Sequence, residues 1–331
     1  MSGPGNGPRR ANGNREHQKA KPGRRRRRWV RYWILDPLEA APVYLIMGLS
    51  WLMPTSLASN LGGWIGRQVA RLRGPRLRIM AHLELAMPEL DEADRDRIAR
   101  GCLEHVGRLV MEAAHITRIV RNRIETAVGF ENVQALVDAG RPAFCMSAHY
   151  GNWEVGHALV NGRGVPTAAF YRRPANRFLD HLLVRLRFAS TADVMLIAKG
   201  DELMRPLRKI IRQRRHAFVL LDERFRKGAA VPFFGRPALT NTVIAEMALR
   251  FDVPVYFARV VRLKGVRFYC EALPPVSIPR TGDLREDARA LMVAYNAQTE
   301  AWIREHPEQW IWSHRRWRLK DRKPAQTPSA A

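Results

Sequence analysis

The sequence has few cysteines, few acidic residues and no apolar run long enough for an ordinary transmembrane helix. Its 331 residues include three cysteines, which are far apart and form no CxxC pair. Such a sparse, odd-numbered set argues against a disulfide framework and fits a reducing compartment. Cys145 lies in an apolar segment, where a thiol is typical of a buried core.

Basic residues greatly outnumber acidic ones. Lys and Arg total 56 against 31 Asp and Glu, which gives a formal net charge of +25. Part of this excess lies in an N-terminal segment that ends in five arginines, residues 24–28, but the body of the chain is basic as well. Anionic partners are therefore expected: nucleic acid, anionic lipid, or a phosphorylated or acidic carrier.

The most apolar part of the chain is residues 38–53, LEAAPVYLIMGLSWLM. A membrane-spanning helix needs about 20 apolar residues, whereas this stretch is shorter and contains Glu39 and Pro42. Basic residues flank it on both sides, and aromatic residues cluster at its edges, as at a membrane interface. We therefore predict a membrane-anchoring segment over residues 32–78, either spanning the bilayer or lying in its surface. A buried core helix is the alternative.

The rest of the chain predicts an α/β domain between two tails. Residues 1–31 and 319–331 are predicted to be disordered, and no secretory cleavage site follows the basic segment. Within residues 79–318, short apolar segments alternate with amphipathic helices, which indicates a largely parallel central sheet flanked by helices. The predicted strands are 143–147, 167–171, 194–198, 217–221, 255–261 and 266–272, and the predicted helices between them are 153–160, 177–188, 203–214 and 243–251.

The first candidate site follows the first of these strands, in the segment Ser147-Ala-His-Tyr-Gly-Asn-Trp-Glu154. Gly151 allows a turn, and Asn152 is suited to cap the helix that follows. With His149 on the loop and Glu154 in the first helical turn, the two side chains can converge. A carboxylate against an imidazole fixes its tautomer, so the pair predicts a general base for an alcohol. A structural histidine and a glutamate that complements the helix dipole are the alternative.

A metal site in the same segment is a second alternative. Glu154 and His157 form a Glu-x-x-His pair with His149 nearby. Two-metal bundles need that motif twice on facing helices, and the sequence has no second copy. We therefore expect neither a metal nor another cofactor.

Three further segments contain polar or aromatic candidates. In Tyr171-Arg-Arg-Pro-Ala-Asn176, the two arginines could hold a phosphate or polarise a thioester carbonyl. Asp222 closes the fourth predicted strand, and the loop 231–235, with two phenylalanines, suits the wall of an acyl-chain pocket. Residues 305–317 interleave tryptophans with arginines, which is typical of a membrane interface or a stacking surface. Surface charge and core packing are the alternatives.

Taken in this order, the four segments resemble the lipid A late acyltransferase family, the lauroyl and myristoyl transferases of Gram-negative bacteria. The resemblance covers about residues 33–317. It rests on His149-x4-Glu154 with Gly151-Asn152-Trp153, on Tyr171-Arg172-Arg173-Pro174 with Asn176, on Asp222 followed by Val231-Pro-Phe-Phe-Gly235 and Thr240, and on Pro307-Glu-Gln-Trp-Ile-Trp-Ser-His-Arg-Arg316.

The resemblance implies an α/β enzyme with a hydrophobic N-terminal anchor, working at the cytoplasmic face of the inner membrane. Its donor would be acyl carrier protein, or sometimes coenzyme A, and its acceptor a hydroxyl of a Kdo-bearing lipid A precursor. His149 would be the base and Glu154 its partner. The residues expected to bind substrate, oxyanion or phosphate are Arg172, Arg173, Asn176, Asp222 and Thr240, and the acyl-pocket candidates are Trp153, Phe233 and Phe234.

The chain departs from the family pattern at two positions. Glu223 stands where we expect Gln or His, and Asn241 stands where small residues are usual; both could alter donor or acceptor choice. Another lipid acceptor, such as a phosphoinositide mannoside or an amino-acid lipid, is the main alternative function. A basic nucleic-acid-binding protein is a distant one, because the sequence has no such signature and the apolar N-terminal segment would be unexplained.

Overall fold

Eleven α-helices are found among the residues that the computed structural model describes, 29–188, 193–198 and 203–318. The predicted tails lie outside these residues, apart from residues 29–31. The helices are α1 Asp36–Leu52, α2 Thr55–Val69, α3 Arg73–Ala86, α4 Glu92–Glu112, α5 Ile116–Asn122, α6 Phe130–Asp138, α7 Trp153–Gly162, α8 Arg177–Phe188, α9 Met204–Arg212, α10 Val243–Arg250 and α11 Leu284–Glu305.

A seven-stranded sheet forms the centre of the fold. Seven of the nine strands of the described residues belong to it; the nine are β1 Ile124–Val128, β2 Ala143–Ser147, β3 Thr167–Tyr171, β4 Val194–Ala198, β5 His216–Leu220, β6 Ala229–Phe233, β7 Arg236–Thr240, β8 Val255–Arg262 and β9 Phe268–Ala272. The sheet order is β1-β9-β8-β2-β5-β3-β4. Neighbours pair in parallel except β8 with β9, which confirms the predicted largely parallel sheet. The carboxyl ends of β2, β3 and β5 therefore share one edge.

The segment predicted as a rigid loop, residues 231–235, belongs instead to a hairpin. Strands β6 and β7 pair antiparallel outside the main sheet, and Phe234 and Gly235 at its tip have φ of 50° and 65°. Positive φ at both positions is the geometry of a two-residue hairpin turn. Pro232 and Pro237, which lie opposite each other in the hairpin, obscured the strands because proline cannot donate to a ladder.

Close packing of α2 against α4 joins the N-terminal helices to the rest of the chain. A Cβ added to Gly62 would lie 2.3 Å from the carbonyl oxygen of Gly107, and one added to Gly107 would lie 2.1 Å from that of Gly62. Both positions therefore require glycine at this backbone separation. Ser59 of α2 is completely buried at the same contact.

The N-terminal helices leave much of their apolar surface exposed. On α1, Leu38, Leu45, Leu49 and Leu52 recur on one face at helical spacing and are 49–72% exposed. Exposed aromatic side chains accompany them, namely Trp29, Tyr32, Trp33, Trp51 and Trp64. No helix of the described residues is both long enough and apolar enough to cross a membrane.

The three cysteines are free thiols and are buried, as predicted for Cys145. Burial raises the pKa of the Cys102 thiol to about 12 and raises that of Cys145 further. These thiols are therefore protonated near neutral pH and belong to the core.

Burial lowers the pKa of five histidines, His82, His105, His115, His157 and His216, and so makes stability depend on pH. Burial, the largest cause in each case, lowers the pKa to about 4 for His82, His157 and His216, and to about 3 for His105. The unfolded chain takes up these protons near pH 6.5, whereas the folded chain does not until the lower pKa values are reached. The free energy of unfolding should therefore be greatest above pH 6.5. It should fall towards pH 4 by about 1.4 kcal/mol per pH unit for each such histidine.

This pH prediction is checked by urea denaturation at pH values from 7.5 to 5. A midpoint that falls with pH, and a His216→Gln variant with a shallower fall, are the expected results. A midpoint constant over this range would show that these imidazoles are not held neutral by burial.

Candidate active site

His149 and Asp222 meet at the carboxyl edge of the sheet. Strands β2 and β5 pair with Ser147 opposite Leu220, so each of the two residues follows its strand by two positions. The Nδ1 atom of His149 lies 2.8 Å from one carboxylate oxygen of Asp222, and the backbone N–H of His149 donates to the other at 2.9 Å. The His149 side chain is 14% exposed and that of Asp222 only 1%, so solvent reaches the imidazole and not its carboxylate partner.

Asp222 is held ionised despite its burial. Burial by itself raises the pKa of this carboxyl, but the charge and hydrogen bond of His149 and the charge of His314 together hold the pKa well below its usual value. The indole N–H of Trp310 also donates to it at 2.7 Å. An ionised carboxylate at Nδ1 fixes that nitrogen as the N–H donor, which leaves Nε2 as the basic nitrogen.

Glu154 occupies a different position from the one predicted. The carboxylate at Nδ1 of His149 is Asp222, while Glu154 forms an ion pair with both Nε and Nη2 of Arg187. The indole N–H of Trp153 also donates to Glu154, at 3.3 Å. Sequence reasoning overlooked Arg187, whose signal was an arginine in the last turn of the predicted helix 177–188.

The loop that bears His149 is shaped by its backbone and by the C-terminal segment. Gly151 has a φ of 54°, and a Cβ there would lie 1.6 Å from the carbonyl oxygen of Val260. The N–H of Gly151 donates to the Gln309 carbonyl, and that of Ile311 donates to the His149 carbonyl. The Pro-Glu-Gln-Trp-Ile-Trp segment thus makes an isolated antiparallel bridge, Tyr150 with Trp310, to the loop that bears the base.

A buried ion pair between Glu112 and Arg262 contacts the same loop through Asn152. Glu112 is fully buried and accepts two hydrogen bonds from Arg262, at 2.6 and 2.7 Å. Ser59 and Asn152 also donate to it, at 2.6 and 2.8 Å. The prediction that the Asn152 side chain caps α7 is therefore wrong: it makes no capping bond because its amide is directed to Glu112.

Of the other predicted polar residues, Arg172 and Arg173 are exposed, whereas Asn176 and Thr240 are buried. Arg172 is exposed and lines a cleft at the end of β3, and Arg173 pairs with Asp180 at 3.2 Å. Asn176 is buried: its side chain accepts from Phe178 N–H as a helix cap and donates to the Asp36 carbonyl at 2.7 Å. It therefore ties α1 to α8.

Thr240, the last residue of β7 in the hairpin, is also buried. Arg316 donates to its hydroxyl at 2.7 Å and to the Glu223 carbonyl at 3.1 Å. Burial lowers the pKa of this arginine to about 10, which leaves it charged at neutral pH. Arg316 therefore connects Thr240 to the turn that follows Asp222 and stabilises that turn.

Of the three aromatic candidates, one lies beside the base and two are buried in the core. Trp153 presents its ring to His149, with 5.0 Å between centroids. Phe233 and Phe234 are 2% and 6% exposed and pack in an aromatic cluster with Trp310, Trp312 and Trp317.

A second histidine and carboxylate face the base. The ring of His314 lies 4.6 Å from that of His149 between centroids, and its Nδ1 lies 3.7 Å from Glu223. Among the described residues, ligand atoms of His149, Glu223 and His314 come within 4.8 Å of one another. His157, which forms the Glu-x-x-His pair with Glu154 in the sequence, is buried, and its Nε2 lies 3.0 Å from the Thr167 hydroxyl.

An imidazole oriented by a buried carboxylate, at the open edge of a parallel sheet, defines an enzyme site suited to activating a hydroxyl. The chain belongs to the bacterial lipid A biosynthesis acyltransferase family, whose model matches residues 21–319. It is therefore an acyltransferase, of a family that acylates lipid A.

Curated relatives agree over most of the chain. A lipid A biosynthesis lauroyltransferase of Escherichia coli K12 is 26% identical over 301 residues, covering 88% of this chain and 93% of that protein. A lipid A biosynthesis acyltransferase of Haemophilus influenzae is 26% identical over 310 residues, covering 89% and 96%. Lipid A biosynthesis acyltransferase 1 of Shigella flexneri is 24% identical over 290 residues, covering 83% and 84%.

Proposed function

We propose that the protein transfers a fatty acyl chain from a thioester donor to a hydroxyl of a Kdo-bearing lipid A precursor, with His149 as general base. The observation that supports this most directly is the contact of His149 Nδ1 with ionised Asp222. Nε2 of His149 takes the proton of the acceptor hydroxyl as the hydroxyl oxygen attacks the thioester carbonyl. The tetrahedral intermediate then expels the thiolate, which receives the proton from the imidazolium.

Two arginines are proposed to stabilise negative charge in this reaction. Arg187 is held by Glu154 close to Trp153 and the start of α7, and Arg172 is exposed at the end of β3. A guanidinium can stabilise the developing oxyanion or bind a phosphate of the substrate. Glu154 assists the base through Arg187 in this scheme, because it keeps that guanidinium in place.

We propose acyl carrier protein as the donor, with coenzyme A as a second possibility. The support is electrostatic: the chain carries a formal charge of +25, and Arg172, at the end of β3, and Arg226 and Lys227, between β5 and β6, are exposed. An acidic carrier would be attracted to such a surface, and its association would weaken with added salt.

The exposed face of α1 is proposed to bind the cytoplasmic surface of the inner membrane. Its leucines and the neighbouring tryptophans suit the boundary between headgroups and acyl chains, and Arg118 lies over the Trp51 ring at 5.3 Å. Asn176, between β3 and α8, donates a hydrogen bond to the carbonyl of Asp36 in α1. A bilayer bound to α1 would therefore lie next to the segment that follows β3, which contains Arg172.

Mass spectrometry of lipid A tests the reaction. The chain is expressed in a Gram-negative host that lacks its own secondary acyltransferases, beside a His149→Ala variant. We expect a gain of one acyl mass that disappears in the variant, because only the imidazole removes the hydroxyl proton. A gain that persists in His149→Ala would remove His149 from the mechanism.

The alternative acceptors are separated by a second assay. Purified protein is given labelled donor with Kdo-bearing lipid A precursor, a phosphoinositide mannoside or an amino-acid lipid. Acylation of the last two only would contradict the Kdo-lipid proposal while keeping an acyltransferase.

Vesicle binding tests the membrane surface. Replacing Leu45 and Leu49, which are 63% and 49% exposed, by Glu should abolish sedimentation with vesicles of phosphatidylethanolamine and phosphatidylglycerol, because two charges would enter the apolar layer. Leu263→Glu, at an exposed residue beyond β8, is the matched control. Equal binding by all the variants would show that α1 does not contact lipid.

A further inference from the structure

A cleft lies beside the base at the carboxyl ends of β3 and β5. Its volume is about 360 Å³, within the roughly 300–1,000 Å³ typical of ligand sites. The apolar residues that line it are Phe170, Leu203, Val219, Leu220, Leu221, Phe225 and Ile244. These residues come from β3, from β5 and the loop that follows it, and from the starts of α9 and α10, so the cleft is a feature of the sheet edge.

One end of this cleft reaches the base. Glu223 lines it, and a carboxylate oxygen of Glu223 lies within 4.8 Å of a ring nitrogen of His149. From there the lining continues along β5 from Leu221 to Val219, a distance of about 7 Å at the rise of a strand. The cleft therefore extends from the reacting groups into an apolar region of the fold.

The polar lining is concentrated in a few side chains. Arg172 and Arg224 are the two basic residues that line the cleft. Glu223 and Asn241, the two positions where the chain departs from the family pattern, line it as well. Glu223 and the two arginines thus lie at the end of an apolar cleft that is next to His149.

We propose that this cleft holds the acyl chain of the donor, and that Phe170 and Leu203 set the chain lengths it accepts. This inference rests on the proposed function, because it requires a fatty thioester as donor. The thioester carbonyl lies at the Glu223 end, next to Nε2 of His149, and the chain runs along Val219 towards Ile244. Arg172 and Arg224 interact with the phosphate of the carrier or with its acidic surface.

An alkyl chain fits this cleft better than it fits the hairpin aromatics. Phe233 stacks on Trp317 at 5.4 Å between centroids and lies 5.9 Å from Trp310. A chain placed there would have to displace packed aromatic core, which costs several kcal/mol for each large side chain. Phe170 and Leu203 are instead half-buried, so each has space on its cleft side.

Donor competition tests the length determinants. Purified wild type, Leu203→Trp and Phe170→Ala are given acyl carrier protein thioesters with saturated chains of increasing length. Leu203→Trp should lose at least about tenfold in kcat/KM for the longest chain that the wild type accepts, with little change for shorter ones. Phe170→Ala should extend the accepted lengths. Leu196→Trp, at a half-buried residue of β4 that does not line the cleft, is the control and should keep the wild-type profile.

An unchanged length profile in active Leu203→Trp and Phe170→Ala would overturn the proposal. A second measurement does not depend on variants: wild type is irradiated with a carrier thioester whose chain ends in a diazirine. Crosslinks to peptides containing Leu203 or Ile244 are expected, and crosslinks confined to the β6–β7 hairpin would overturn the assignment. Failure of the proposed function is distinct, because the wild type would then transfer no chain of any length to lipid A.

Discussion

Replacing Asp222 by Asn should lower kcat by about 10⁴-fold with little change in KM, a loss of the size seen when a histidine base loses its orienting carboxylate. An amide at this position can donate to Nδ1 and so stabilise the tautomer that carries its proton on Nε2. That tautomer cannot accept the hydroxyl proton. The hydrogen bonds from the His149 backbone and from Trp310 can still be accepted by the amide oxygen, so the fold should be retained.

Steady-state kinetics with saturating donor, together with circular dichroism and vesicle binding, provide the check. Glu154→Gln is the matched variant, because it also neutralises a carboxylate near the base, and its loss should be smaller since Glu154 acts through Arg187. An equal or larger loss in Glu154→Gln would place Glu154 rather than Asp222 against the imidazole in the working enzyme. Near-normal turnover in Asp222→Asn would remove Asp222 from the mechanism.

The contrast between these two carboxylates shows what the sequence could predict. His149 and Asp222 were each found by the same argument, a polar residue directly after an apolar strand. Their contact joins residues 73 positions apart and depends on β5 lying next to β2, an order that local pattern does not determine. Glu154 was paired with His149 because it is near in sequence, whereas in the folded chain α8 supplies it with Arg187 instead.

Other motif residues prove to be structural for a related reason. Asn176 follows a predicted strand and Thr240 belongs to the family motif, but each is buried and hydrogen-bonded within the protein. A motif shows that a residue type suits a position without showing which way the side chain faces. Six of the seven strands of the sheet were predicted, since alternating apolar segments and amphipathic helices depend only on neighbours in the chain; the edge strand β1 was not predicted.

The buried pair of Glu112 and Arg262 gives the largest expected change in stability. Glu112→Ala should lower the free energy of unfolding by about 3–5 kcal/mol, because it leaves a desolvated guanidinium without its carboxylate. Ser59 and Asn152 would lose their acceptor as well. Urea denaturation measures the effect, and Glu104→Ala on the same helix is the control. The Glu104 side chain is 28% exposed in its pairs with Arg67 and Arg108, so its loss should cost about 1 kcal/mol or less.

Replacing both partners separates stability from positioning of the base. In Glu112→Met with Arg262→Met the buried charges are gone, and much of the lost stability should return because apolar side chains can fill such a site. The Asn152 amide would still lack its carboxylate, so the loop that bears His149 should stay less constrained and kcat should remain below wild type. Full recovery of both stability and kcat in the double variant would show that Glu112 stabilises the fold without positioning the base.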